Sequence, residues 1–397
     1  MEQPFQIETL LKFIEECRVD KRFVESAVPY TPEKLIKKIT KRIKIRKFDS
    51  IGVLFTVEWA LHLKMLGYNT ITVIVTKDCN LTKQCCNHWG FQYIIYNKDT
   101  KMPNFDVIVG NPPYQDKKGN EDSTNSTDLA AMFVRKSFES STRIVALVIP
   151  SDWTGPNPST LKNFLFKENQ LKSLTLDGGK WFDVAKDTCT FIYDRTYSGL
   201  CEVTDINNKK ELIDLSQVKL LSLDNTQTNF IHKFDTSNNL SKRWLRGSLH
   251  LSGVVETPVG TEFICAVGQK DKPLSVKIIT PGTESTGLGL HKVVVPNVGE
   301  EGWIGNIKIG TTTQAGGHSV VFLTTGSTAE SDNLKAYLES KVIRLLIKSV
   351  KKSTPNSKAV FTQIPDIPLT KKYSDQDLYT YFNFTQAEID YIESNSK

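Results

Sequence analysis

FDVIVGNPPY, residues 105–114, runs a largely apolar strand-like stretch straight into Asn-Pro-Pro-Tyr. A short apolar run bounded by turn residues reads as a buried strand. The strand is therefore expected to deliver Asn111, Pro112, Pro113 and Tyr114 to the carboxyl edge of a parallel-type sheet, where open α/β folds bind ligands. Two successive prolines remove two backbone donors and stiffen the turn, leaving carbonyls to face a cleft. The other reading of Asn-Pro-Pro is a plain strand-ending turn.

The flanking sequence supports a sheet. SIGVLFT (50–56), TITVIVTKD (70–78) and FQYIIYN (91–97) read as strands, separated by the helical stretches EWALHLKML, closed by Gly67, and LTKQCCNHW, closed by Gly90. The spacing fits βαβ units with right-handed crossovers. DLAAMFVRKSFESS (128–141) then reads as a helix, RIVALVIP (143–150) as a strand, LKNFLFKEN (161–169) as a helix, and LKSLTLDGG and DTCTFIYDR as two further strands. After Tyr197 the rhythm gives way to short strands among Asn, Thr, Ser and Gly, closed by helical stretches from residue 333 onward. A two-domain chain is expected, residues 1–200 and 201–397, as suits a length of 397 residues.

The residues at 111–114 suit chemistry on a planar amine. The Asn111 side-chain carbonyl and the Pro112 backbone carbonyl can accept the two N–H bonds of an exocyclic amine and pull its nitrogen toward tetrahedral geometry. Tyr114 can stack on the ring. No general base is needed before attack, because the amine can lose its proton afterward.

Charge and cysteine content bound the partners. The formal charge of +6 is compatible with a polyanion. Lys34, Lys37, Lys38, Lys41, Arg42, Lys44, Arg46 and Lys47 occur without an intervening acid, the first four at helical spacing. Such a face is either solvated or tracks phosphates. KSVKKSTPNSK (348–358), with Lys351 and Lys352, is the second candidate for backbone contacts. Seven cysteines, an odd number, do not make a disulfide framework in a chain of this length. Cys79, Cys85, Cys86 and His88 lack paired metal-ligand spacing, so no metal is expected. No apolar run is long enough for a membrane span, and the acidic first segment lacks an export signal, which points to the cytoplasm, of a bacterium or of a phage's host.

FDVIVGNPPYQ resembles the catalytic motif of amino-methyltransferases, and its surroundings resemble the adenine-N6 DNA methyltransferases of type II restriction-modification systems. VPYTPEKLIKKI, DLAAMFVRKSF, RIVALVIPSDW and GGKWFDVAKDTCTFIYD agree in order, so the likeness covers most of residues 28–197. It implies a Rossmann-like class I methyltransferase sheet (α/β), followed by a mixed α+β target-recognition domain. It also implies S-adenosylmethionine as cofactor and double-stranded DNA as partner, with a cognate restriction endonuclease acting separately. Thr31 and Pro32 would then contact the cofactor's methionine end, Asp78 its ribose, and Asn97 or Asp99 its adenine. Phe182 would lie against a flipped-out base. The chain departs from the family where a glycine-rich loop should follow the first strand: VLFTVEWALHL has no glycine between Gly52 and Gly67. Glu58 could serve in place of that loop by accepting from the cofactor's ammonium. The rival readings are a decayed homologue that only docks on DNA, an RNA base methyltransferase, a protein-glutamine methyltransferase and a bifunctional restriction enzyme.

Overall fold

Buried β-rich runs at residues 51–54, 71–75, 105–110 and 141–150 build one central sheet. The computed structural model describes residues 31–76, 80–96, 101–113, 129–155, 159–182, 187–247, 260–265, 274–279, 287–299, 302–351 and 355–396. Among these, nine strands form that sheet: β1 (Ile51–Leu54), β2 (Ile71–Val75), β3 (Gln92–Ile95), β4 (Phe105–Gly110), β5 (Ser141–Pro150), β6 (Leu171–Gly178), β7 (Thr188–Asp194), β8 (Cys201–Thr204) and β9 (Lys210–Ile213). Their order is β3-β2-β1-β4-β5-β7-β6-β8-β9. Strands β3, β2, β1, β4 and β5 are parallel neighbours, and β7 is antiparallel to both β5 and β6. This order, with β7 reversed between β5 and β6, is the Rossmann-like α/β arrangement expected from the resemblance.

The crossovers follow from local chemistry. Helix α1 (Glu33–Thr40) buries Leu35, Ile36 and Ile39. Helix α2 (Val57–Met65) connects β1 to β2, and α3 (Asn80–Trp89) connects β2 to β3. Both end as read from the sequence, on Gly67 (φ 89°) and Gly90 (φ 72°), which take the left-handed turn at no steric cost. Helix α4 (Leu129–Ser140) precedes β5. The amino ends of β1, β4 and β5 are tied by Asp106. Its carboxylate accepts from the Ser50 backbone N–H at 2.9 Å, the Ser50 hydroxyl at 2.8 Å and the Thr142 hydroxyl at 3.0 Å. The Ser50 bonds hold that carboxyl below its usual range.

The chain divides into two compact units, 1–151 with 163–217, and 152–162 with 218–397. The first sheet continues past residue 200, because β8 pairs in parallel with β6 and β9 pairs antiparallel to β8. The second unit holds a four-stranded sheet formed by β10 (Trp244–Arg246), β13 (His291–Pro296), β14 (Lys308–Gly310) and β16 (Val320–Thr325). A three-stranded sheet is formed by β11 (Thr261–Cys265), β12 (Ser275–Ile279) and β15 (Gln314–Gly316). Helices Thr328–Glu339 and Lys341–Val350, each capped by a serine side chain, supply much of its core. No helix of the described residues is long and apolar enough to cross a membrane.

Candidate active site

Strand β4 ends beside β1. Their register places Gly110 opposite Leu54, and a Cβ on Gly110 would meet the Leu54 carbonyl at 2.5 Å. Only glycine permits that approach. The next residue, Asn111, donates its backbone N–H to the same carbonyl at 3.4 Å, and the Thr56 N–H donates to it at 2.9 Å. One carbonyl thus joins the turn after β4 to the turn after β1. Asn111 has 0% exposure, and Pro112 and Pro113 are buried with it.

The turn after β1 explains how the chain manages without a glycine loop. Phe55 adopts φ 67°, the left-handed conformation that glycine usually supplies. Its ring leaves the turn and meets Phe133 edge-to-face at 4.8 Å, and Phe133 in turn lies 5.9 Å from Tyr96. Glu58 follows in the first turn of α2 and is partly buried. The residues carrying Asn111, Phe55 and Glu58 therefore gather at one sheet edge.

Three polar atoms, one before α1, one on α2 and one just after β3, are buried without a hydrogen-bond partner: Thr31 Oγ1, Trp59 Nε1 and Tyr96 Oη. A buried unsatisfied donor or acceptor costs about 1–3 kcal/mol. Such atoms are usually kept only where something polar binds them. Thr31, with 0% exposure, is the residue expected to meet a cofactor's methionine end. Tyr96 directly follows β3, and Asn97 and Asp99 lie just beyond it. Asp78, Asn97, Asp99, Tyr114 and Lys352 lie outside the described residues. Pro32 is partly buried at the start of α1.

The basic helix divides its charges. Lys34, Lys37 and Lys41 are exposed, with Lys37 paired to Glu33 at 2.5 Å. Lys38 turns inward to Asp177 at 3.3 Å, and Arg42 reaches Thr175 at 3.0 Å and Glu202. Lys38 is thus engaged by an acid of the fold, with a third of its side chain still exposed. Lys351, expected among the phosphate contacts, is instead 1% exposed at the end of its helix and does not face solvent in this conformation. Phe182 is 7% exposed, and its ring packs into the core with Leu35, Ile36 and Val109. Its neighbour Trp181 is more open and donates its indole N–H to Asp177 at 2.8 Å.

The sequence reading missed Asp177, Trp181 and Tyr96. An acid closing an apolar strand before Gly178-Gly179 was the signal that could have found the first two.

Residues 33–182 match the family described as Eco57I restriction-modification methylase. Over 115 residues the chain is 28% identical to an uncharacterized adenine-specific methylase of Mycoplasma pneumoniae, a match that spans 27% of each protein. Among solved structures, the type IIL restriction-modification enzyme MmeI in complex with DNA aligns with 98% of this chain and 78% of its own, at 11% identity and a TM-score of 0.47. The type IIG restriction endonuclease BpuSI aligns with 90% of this chain and 61% of its own, at 13% identity and a TM-score of 0.42. The matched stretch contains Asn111, Phe55 and Asp177, and it ends at Phe182.

Proposed function

We propose that the chain is an S-adenosylmethionine-dependent methyltransferase that modifies the N6 amino group of adenine in double-stranded DNA. The observation that carries this reading is the delivery of Asn111, Pro112 and Pro113 by β4 to the carboxyl edge of a class I sheet, beside the left-handed turn at Phe55. The name of the Mycoplasma pneumoniae relative supports adenine as the target.

The residues fit the cofactor where they can be tested. Thr31 and Tyr96 offer unpartnered buried hydroxyls, and the Phe55 backbone takes the left-handed conformation that glycine usually supplies. Thr31, Pro32 and Glu58 would hold the amino-acid end, and Asp78 with Asn97 or Asp99 the nucleoside end. When bound, S-adenosylmethionine supplies an electrophilic methyl group. The chain's own work is to hold the amine. The Asn111 side-chain carbonyl and the Pro112 carbonyl would accept hydrogen bonds from its two N–H groups and turn the nitrogen lone pair outward, an orientation most valuable as positive charge develops there.

A base inside a duplex must leave the stack to be modified, at a cost of a few kcal/mol. Stacking on Tyr114, worth about 1–3 kcal/mol, offsets part of that cost. Phe182 would add to it only by leaving the core. Residues 201–397 would choose the site, with Lys37 and Lys41 adding affinity for phosphates. The enzyme would act in the cytoplasm, with a restriction endonuclease as a separate partner.

Calorimetric titration with S-adenosylmethionine, with and without duplex DNA, tests the cofactor half of this reading. Saturable binding at one site per chain is expected. Heat changes no larger than dilution under both conditions would favour the decayed-homologue reading.

A further inference from the structure

The Asp177 carboxylate, at the end of β6, is 4% exposed and accepts three donors from three different places. Lys38 Nζ lies at 3.3 Å from α1, Trp181 Nε1 at 2.8 Å from the following turn, and Thr190 Oγ1 at 3.1 Å from β7. The Trp181 ring is faced by two ammonium groups, Lys38 at 5.7 Å and Lys180 at 5.6 Å. Asp177 is the buried member of the ion pair, since Lys38 keeps a third of its side chain exposed, and loss of a donor leaves the desolvated carboxylate less well satisfied. A buried acid with three donors therefore fixes all three elements relative to one another.

Two of those elements carry proposed substrate contacts. Helix α1 begins directly after Thr31 and Pro32, and Trp181 immediately precedes Phe182. We propose that Asp177 is a positioning residue that couples the cofactor-side segment Thr31–Pro32 to the base-side turn Trp181–Phe182, through Lys38 and the Trp181 indole. The proposal rests on the methyl-transfer reading above. Displacement of either segment moves the other, because both answer to one carboxylate. Misplacement by about 1 Å at such a point can cost up to a hundredfold in rate.

The test uses the full chain with labelled S-adenosylmethionine and amplified, unmethylated bacterial DNA. Asp177→Asn keeps an acceptor for Trp181 and removes the charge that Lys38 needs. It is expected to raise KM for S-adenosylmethionine and for DNA together, each about tenfold, and to lower kcat per folded enzyme by up to about a hundredfold. Lys38→Met is expected to reproduce the rise on the cofactor side, and Trp181→Phe the rise on the DNA side. A fall in kcat alone, tracking the folded fraction while both KM values stay at wild type, would show a merely structural acid and overturn the coupling.

A second readout does not depend on activity. In a spectrum of 15N-labelled indoles, the Trp181 resonance is identified by its loss in Trp181→Phe. It is expected to move in both Asp177→Asn and Lys38→Met, and an unmoved resonance in both would refute the bridge itself. A wild-type chain that transfers no methyl group, yet shows those moved resonances, would overturn the methyl-transfer reading and the catalytic purpose of the bridge while leaving its geometry standing.

Discussion

The Leu54 carbonyl accepts the backbone N–H of Asn111 at 3.4 Å, while a Cβ on the intervening Gly110 would stand 2.5 Å from the same oxygen. The turn that carries Asn111 is therefore seated by contact between two strand ends. Gly110→Ala should force β4 away from β1 and cost about 2–4 kcal/mol of stability. Urea denaturation of both proteins measures this. A midpoint equal to wild type would mean that the strands separate freely and that Asn111 is not seated by this contact.

Asn111→Ala should lower methyl transfer by about a hundredfold or more, since it removes an oriented acceptor needed mainly as charge develops on nitrogen. Binding of S-adenosylmethionine should stay close to wild type. Single-turnover transfer together with calorimetry separates the two effects, and retention of more than about a tenth of the rate would exclude this role.

Phe55 tests the glycine-free turn. Its left-handed backbone costs about 1–2 kcal/mol in any residue with a Cβ, while its ring packs against Phe133. Phe55→Ala removes the ring and keeps the strain. Phe55→Gly removes the ring and the strain together, and should be the more stable of the two by about 0.5–1 kcal/mol, after allowing for the greater freedom of glycine in the unfolded chain. Chemical denaturation that ranks Ala above Gly would contradict the strained-turn account.

These cases mark what the sequence reading reached. Apolar runs and the helix-ending Gly67 and Gly90 were legible, because strand burial and left-handed caps leave local signatures. The turn after β1 was legible only as a missing glycine, since composition reports a Cβ but not the φ of 67° that Phe55 adopts. Helical spacing likewise revealed the positive charge of α1, but not that Lys38 meets an acid 139 residues away. The sheet's extension through β8 and β9 was hidden because their pairing is with β6 and with each other, in a segment whose composition had already changed.

Phosphate affinity should come from the outward side of α1 alone. Lys37→Gln with Lys41→Gln should weaken binding to unrelated duplexes equally and flatten the slope of log affinity against log salt, by about 0.9 for each phosphate no longer neutralised. Adding Lys38→Gln should change the slope no further, because Lys38 faces Asp177. Fluorescence anisotropy across a salt series reads both quantities, and an unchanged slope in the double variant would return that face to plain solvation.

Lys292, in the second unit, is wholly buried and donates to the carbonyls of Gly287, Leu290 and Thr311 at 2.8, 2.9 and 2.6 Å. Burial lowers its pKa to about 8. Between that value and the ordinary lysine value of about 10.4, the unfolded chain binds the extra proton, so stability attributable to Lys292 rises with pH across this window. The stability difference between wild type and Lys292→Met should therefore grow in favour of wild type from about pH 8 to about pH 10. Denaturation at several pH values measures it, and a difference that shrinks would mean that the three carbonyl bonds outweigh desolvation.

The central claim is tested most directly by identifying the modified base. Unmethylated DNA is incubated with the protein and S-adenosylmethionine, digested to nucleosides and analysed by mass spectrometry, with Asn111→Ala in parallel. The account predicts N6-methyldeoxyadenosine from the wild-type reaction and none above background from the variant. Methylation confined to cytosine, or an equal yield from both proteins, would contradict it.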